Sequence, residues 1–394
     1  MSQSSTAVVP VSQTTDWRKE FYEFEDAAYL NLAGQAPIPR VAARALDRAR
    51  DWKKLPHNLP EEAFFGLPNR VRALIAQLIG GRPEELAITS GASIGLQAVA
   101  HGIEWKPDDE VLLVRGEFPA HPATWAPMAD AGRLCVRWLA PRDRFITTEE
   151  IAAAVTPQTK LVSISHVRFD DGVRINPRPI ADAVHKVGGY LLLDVSQSCG
   201  AVPFNVADSG ADFLICSGYK WLLSAFGTGF FWIRRELIDR LRPGPFYWMA
   251  MDGADRFHSL TGEGVKHVPV PAHARRWDLP ETASFFNLSV MEASLELVLR
   301  AAPQTVWEHN LALVEQMIAR LPVDRCVLAS PRDAAQRGPY ACIRARQPER
   351  TQALYEKLRG EKIYVSLREG ALRVSPYLYN TERDIERLIS VISI

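Results

Sequence analysis

The sequence predicts an α/β protein, built as a large domain with a mainly parallel sheet followed by a smaller α+β domain. Three observations carry this. From Leu86 to Ile233, short apolar runs alternate with helical stretches, the pattern of strands laid side by side by crossover helices. Past Pro243 the rhythm breaks into a stretch rich in glycine, proline and aromatic residues, and helical periodicity returns at Asn287. The chain has 394 residues and 47% hydrophobic content, enough to bury a large core and divide into two domains.

Taken in order, a polar tail to about Thr15 precedes helical patterns near Val41 to Lys54 and from Asn69 to Ile79. Strands are predicted at Glu110 to Arg115, Leu134 to Leu139, Lys160 to Ser165, Tyr190 to Asp194, Phe213 to Ser217 and Gly229 to Ile233, with a helix at Ile180 to Lys186 among them. The stretch of about 243–282 reads as a long active-site loop. Beyond it come helices at about Ser289 to Arg300 and Gln304 to Arg320. Short strands then follow around Cys326, Tyr340 to Arg344, Ile363 to Ser366 and Ala371 to Val374, with a closing helix from Thr381. The predicted division is a tail at 1–20, a large domain at 21–285 and a small domain at 286–394.

Charge narrows the function. Lysine plus arginine number 46 and aspartate plus glutamate 46, so no excess favours nucleic acid or an anionic membrane. No leader-like n- and h-region opens the chain, and no apolar run reaches the roughly 20 residues that span a bilayer, so a cytoplasmic location is expected. Cys135, Cys199, Cys216, Cys326 and Cys342 lack metal-ligand spacing and read as buried free thiols. His121, His166 and His185 are dispersed and read as satisfied or solvated side chains; no metal site is predicted.

The informative residue is Lys220, which follows the apolar run Phe213 to Ser217 and is ringed by aromatic and small residues. A lysine so placed is poorly solvated and easily deprotonated. Asp194 ends the strand Tyr190 to Asp194, at the edge where open α/β sheets place their ligand chemistry. A lysine to hold an aldehyde and an acid to keep a pyridine nitrogen protonated are what pyridoxal phosphate (PLP) requires. Gln197 has an amide that can donate to the ring's phenolate oxygen. Each residue alone is more often structural; their joint order makes the case.

These blocks resemble the class V aminotransferase and cysteine desulfurase superfamily of fold-type I PLP enzymes, in its isopenicillin N epimerase-like branch. The resemblance runs through Tyr29-Leu-Asn31-Leu-Ala33-Gly, Thr89-Ser-Gly91-Ala-Ser93, Gly116-Glu-Phe118-Pro, Ser165-His166-Val, the Asp194 and Lys220 blocks, and Leu372-Arg373-Val-Ser-Pro-Tyr-Leu-Tyr-Asn380. It implies a seven-stranded large-domain sheet and a homodimer whose active sites are shared between subunits. It places the cofactor phosphate at Ala92 and Ser93, with Ser217 and Tyr219 from the lysine loop of the same chain, and adds Thr282 from a neighbouring subunit. Phe118 takes the place of a ring that stacks on the cofactor, and Arg373 that of the arginine binding the substrate carboxylate. Asn31 and Ala33 line the same pocket.

Departures matter too. Tyr364-Val-Ser-Leu-Arg-Glu-Gly-Ala371, where desulfurases carry a catalytic cysteine, has none, which argues against a persulfide relay. A cofactor-facing asparagine of the family is replaced within Arg168-Phe169-Asp170, and which of the three faces the ring stays open. The expected activity is Cα deprotonation of a small amino acid, with transamination ranked ahead of a carbon–sulfur or kynureninase-like carbon–carbon lyase and an epimerase. Intact Lys220, Asp194, Gln197 and Arg373 argue against a non-catalytic protein of the same fold.

Overall fold

The computed structural model describes residues 16–244, 247–256, 270–281 and 284–394. Its strands, in chain order, are β1 (Ala28–Tyr29), β2 (Leu86–Thr89), β3 (Glu110–Val114), β4 (Cys135–Leu139), β5 (Thr159–Ser165), β6 (Tyr190–Asp194), β7 (Phe213–Ser217), β8 (Gly229–Ile233), β9 (Cys326–Leu328), β10 (Ala341–Ala345), β11 (Ile363–Tyr364), β12 (Ser366–Arg368) and β13 (Ala371–Val374). A seven-stranded sheet has the order β2-β8-β7-β6-β5-β3-β4, in which β8 alone runs against its neighbours. The mainly parallel sheet expected from the alternation is therefore present.

Period-two alternation explains why these strands are apolar throughout. Leu112, Val162, Leu191, Leu193 and Leu214 pack on one face, while Val111, Leu113, Leu161, Leu192, Phe213 and Ile215 pack on the other. A sheet covered by helices on both faces has no polar side to show. The six predicted strands match to within a residue at each end.

Two helices depart from expectation. The predicted Asn69 to Ile79 begins six residues earlier, as Ala63–Ile79, with Pro68 inside it. Proline forfeits a helical hydrogen bond, but Leu67, Pro68, Val71 and Ile75 are all buried, and packing against helix Phe285–Ala301 overrides the local signal. Helix Ala120–Asp130 had no sequence prediction, because Pro127 lies within it and its apolar periodicity is weak.

The C-terminal part forms a four-stranded antiparallel sheet in the order β12-β13-β10-β9. The predicted strand Ile363 to Ser366 divides: β11 pairs in parallel with β1, whereas Ser366 begins β12. Ala28 and Leu30 thus join the C-terminal apolar cluster of Ile343, Leu372, Val374 and Leu388.

Part of the predicted active-site loop is firmly docked. Trp277 is buried edge-on against Phe231, and Asp278 pairs with Arg72 and accepts the Ile88 amide at 2.8 Å. Asp278→Ala strands the Arg72 guanidinium in the interior. Breaking a buried pair this way costs about 3–5 kcal/mol, so chemical denaturation should show a loss of that size, whereas Asp278→Asn should lose less. Phe246 and Thr282 lie outside the described residues. Among those described, no helix is long and apolar enough to cross a membrane, and no cluster of potential metal ligands occurs.

Candidate active site

The site assembles at the C-terminal ends of β5, β6 and β7, the central parallel strands. Ser165, Asp194 and Ile215 are in register across them, which brings Asp194 to the rim. Because β8 runs back against β7, the chain turns locally between Ser217 and Gly229, and that turn carries Lys220. The Lys220 carbonyl accepts from the Leu223 amide and the Gly218 carbonyl from Ser224, so the turn is folded on itself rather than free.

Helix Ala92–Gly102 starts where β2 ends. Its cap, Gly91, has φ 155°, a conformation that side chains disfavour. Gly229 is needed for a different reason: a Cβ there would sit 2.4 Å from the Cys216 carbonyl oxygen and 2.7 Å from Gly91 Cα. This close approach puts the first helical turn against β7, where the Ala92 amide donates to Ser217 Oγ at 3.2 Å. A helix N-terminus lined by hydroxyls is an anion site in form.

A cavity of about 300 Å³ opens between these elements, lined by Ala92, Ser93, Phe118, Asp194, Ser217, Tyr219 and Lys220, together with Ser90, Gly91 and Ser196. Lys220 Nζ lies 5.1 Å from the Phe118 ring centre and 5.6 Å from that of Tyr219. Lys220 makes no ion pair among the described residues. Burial pulls its pKa down to about 8 even though Asp194 pulls it up; Arg373 and Arg368 add to the lowering. Asp194 is the converse case. Burial raises its pKa, but His121, Lys220 and the Ser196 amide, at 2.8 Å from Oδ1, outweigh it and hold the carboxyl below its ordinary range.

The remaining predicted residues form an adjoining layer. Gln197 Nε2 donates to the Ala33 carbonyl at 3.1 Å, and its Oε1 accepts from Trp221 at 3.0 Å, which leaves one amide hydrogen uncommitted. The Ala33 amide donates to Ser375 Oγ at 3.0 Å, and Ser366 donates to Asn31 Oδ1. Ser366 is opposite Arg373 in the β12–β13 ladder. Arg373 is 2% exposed; one Nη donates to the Phe169 carbonyl at 3.0 Å, its plane lies over Tyr340, and its Nε has no partner. Among the described residues, no carboxylate pairs with it. Burial accordingly draws its pKa below the ordinary arginine value.

Within Arg168-Phe169-Asp170, Phe169 is the residue that touches Phe118. Its ring meets Phe118 edge-on at 5.3 Å, while Arg168 and Asp170 pair with each other at 2.9 Å. Two residues without a predicted role also belong to the site. Buried Glu117 accepts from the Phe118 amide at 2.8 Å and from Ser165 N at 3.0 Å, which pins Phe118. His121 is not solvated and only half satisfied: it is fully buried, its Nδ1 meets Ser163 Oγ, and its Nε2 has no hydrogen-bond partner and lies 3.8 Å from Asp194 Oδ2. Its spacing of three from Phe118, at the mouth of a helix, was the available signal.

The stretch corresponding to the desulfurase loop is a tight hairpin. Arg368 pairs with Ala371, and the two residues between, Glu369 and Gly370, both have positive φ. A two-residue turn of this kind has no slack. Of the five cysteines, Cys135 is exposed, contrary to expectation, and the other four are buried. A larger cavity of about 520 Å³, lined by Phe145, His166, Arg174 and Phe204, contains none of the predicted site residues. Its greater size does not make it the reaction centre, since it lacks the lysine and the acid.

The fit to PLP can be judged from these residues alone. The cavity is at the lower end of the usual range for small-ligand sites, roughly 300–1,000 Å³. It offers an amine of lowered basicity, an ionised acid across from it, and a hydroxyl-lined helix start. The residues present fit the group.

An uncharacterized aminotransferase of Bacillus subtilis, YcbU, is 26% identical over 96% of this chain and 96% of its own length. Isopenicillin N epimerase of Streptomyces clavuligerus is 25% identical over 91% of this chain and 92% of its own. Among solved structures, the cystine C–S lyase C-DES, in a mutant with glycine covalently linked to the PLP cofactor, superposes with a TM-score of 0.85 at 19% identity, covering 95% of this chain and 98% of that one. That last likeness is one of fold. The model for the aminotransferase class V family matches residues 28–388. The chain belongs to the class V aminotransferase family.

Proposed function

We propose that the protein is a PLP-dependent enzyme of small amino acids, with Lys220 as attachment point and base and Arg373 as the carboxylate site. The observation that carries this reading is Lys220 itself, a buried lysine with no ion pair among the described residues, its pKa lowered to about 8, facing a cavity that Asp194 also lines. PLP supplies an aldehyde and a pyridine ring that accepts the electrons left at Cα.

The chain's residues divide the remaining work. Lys220 would hold the cofactor's aldehyde through Nζ, and the same Nζ, when free, would take the Cα proton. Asp194 keeps the ring nitrogen protonated, and Gln197 offers its uncommitted N–H to the phenolate side. Ala92, Ser93, Ser217 and Tyr219 hold the phosphate, to which Thr282 of a second subunit adds. Phe118 covers one ring face and cannot move a proton. Arg373, with Asn31 and Ala33 beside it, takes the carboxylate and so decides which Cα bond is broken.

Transamination is the outcome ranked first. The cysteine-free hairpin at Ser366–Val374 argues against sulfur relay through that loop. An absorbance spectrum with a panel of amino acids tests the reading. A yellow band that amino acid bleaches and a 2-oxo acid restores marks an aminotransferase. Release of pyruvate and ammonia without bleaching marks a lyase, and exchange of the Cα proton with inversion an epimerase. Wild-type protein that no added PLP can colour would sink the proposal.

A homodimer is part of it. Phe226 stacks on Tyr219 at the cavity yet is 59% exposed, and Phe64 and Phe286 are exposed nearby in the helical layer. Large apolar side chains at a cavity rim suit a partner surface. Light scattering should give about twice the 44.0 kDa chain mass.

A further inference from the structure

His121 is the buried titratable group that the proposed reaction does not use. It sits in the first turn of helix Ala120–Asp130 with no exposed surface. Its Nδ1 lies 2.8 Å from Ser163 Oγ, and Trp125 Nε1 donates to the same oxygen at 3.0 Å. A hydroxyl has one hydrogen and two lone pairs. Ser163 can therefore accept from Trp125 and still serve Nδ1 either as donor or as acceptor. Nε2 is left pointing at Asp194 Oδ2, 3.8 Å away and just beyond hydrogen-bond reach, with no other partner.

A bare lone pair on Nε2 would face a carboxylate oxygen and be repelled by it. An N–H there is attracted instead. Two carboxylates beside the ring favour the proton, Asp194 from β6 and Glu117 from the turn ahead of the helix; the Lys220 ammonium, which acts on the same Asp194 carboxylate, works against it. Burial alone would pull the His121 pKa down. The carboxylates of Asp194 and Glu117 outweigh it, and the group stands above the ordinary histidine value.

Resting on the reading that Asp194 faces a ring nitrogen, we propose that His121 is the positioning residue for Asp194: its Nε2–H holds the carboxylate ionised and turned into the cavity. Asp194 is then held from behind at both oxygens, Oδ1 by the Ser196 amide and Oδ2 by His121. A carboxylate kept poor in proton affinity leaves a shared proton on the cofactor's nitrogen. This is an outer-shell role, since His121 does not line the cavity. Such roles are worth about 10- to 100-fold in the affinity of the group they support, judging by outer-shell partners of metal ligands.

The test compares purified wild type with His121→Leu and His121→Asn, reading the PLP dissociation constant by absorbance titration and the melting midpoint of the cofactor-free chain. His121→Leu should weaken PLP about tenfold, and His121→Asn, which retains a donor, should recover part of that loss. The wild-type affinity should fall as pH rises through the titration of His121, a step absent from both variants. Dissociation constants within twofold of wild type, with only the melting midpoint lowered, would make His121 a packing residue and overturn the proposal. Should both variants fail to fold, histidine ¹⁵N spectra of the wild type decide, because an Nε2 without a proton at neutral pH also overturns it. Wild type with no affinity for PLP would sink the cofactor reading instead, a result distinct from variants that match wild type.

Discussion

Lys220→Ala should remove the visible absorbance band and essentially all activity, yet leave the cofactor-free protein as stable as before or more so. General acid–base catalysis alone is worth about 10²–10⁴-fold, and the variant also loses its point of covalent attachment, so a fall of at least about 10⁴-fold is expected. The stability half follows from linkage. Lys220 titrates at about 8 in the folded chain against 10.5 ordinarily. Between those values the unfolded chain binds the extra proton, so wild-type stability rises with pH across that window. Below about pH 8 both states are protonated, the slope vanishes, and the cost of burying the ammonium is carried in full. Alanine removes that cost. Denaturation curves on either side of pH 8 should therefore converge as pH rises, with the variant ahead at neutrality. A variant markedly less stable at pH 7 would mean that Lys220 is a structural residue.

Arg373→Ala should lower kcat/KM for an α-amino acid by about 30- to 4,000-fold. The figure comes from removing one partner of a buried charged hydrogen bond, which costs about 2–5 kcal/mol, at about 1.4 kcal/mol per tenfold. Arg373→Lys should rescue little, because an ammonium cannot grip a carboxylate with two parallel bonds. The specific control is the corresponding amine without its carboxyl group. Its slow turnover should be unchanged by either substitution, and a proportional loss would show that Arg373 acts on the fold rather than the substrate. PLP affinity should stay near wild type, since Arg373 does not line the cofactor cavity.

The sheet was legible because its strands are buried on both faces and interrupted by clear turns, so β6, β7 and β8 lie where their apolar runs lie. Helices held by packing rather than propensity were not. Pro68 and Pro127 are helix breakers by local chemistry, and only their buried neighbours show why they are tolerated. In the site, Lys220 stood out because it follows a strand and Asp194 because it ends one, whereas Phe118 was raised only by the family resemblance. Their meeting in one cavity depends on the reversal of β8 and the close approach of Gly229 to Gly91, which no local pattern encodes. His121 was read as unremarkable for the same reason: in sequence it has no carboxylate neighbour beyond Glu117, and Asp194 reaches it only across the sheet. That Phe169, rather than Arg168 or Asp170, meets Phe118 likewise needed the fold.

The pairing of β1 with β11, and of Asn31 with Ser375, has a consequence in time. The segment carrying Asn31 and Ala33 leaves the ribosome well before the strands that fix it. At about 5–20 residues per second, the intervening sheet has well over ten seconds to form before the wall of the substrate pocket can close. The cofactor cavity, complete once β8 has returned to β2, can thus exist on the nascent chain well before any amino acid can be gripped by Arg373. Ligand that captures this early form would assist the birth of the protein without yet giving it a substrate.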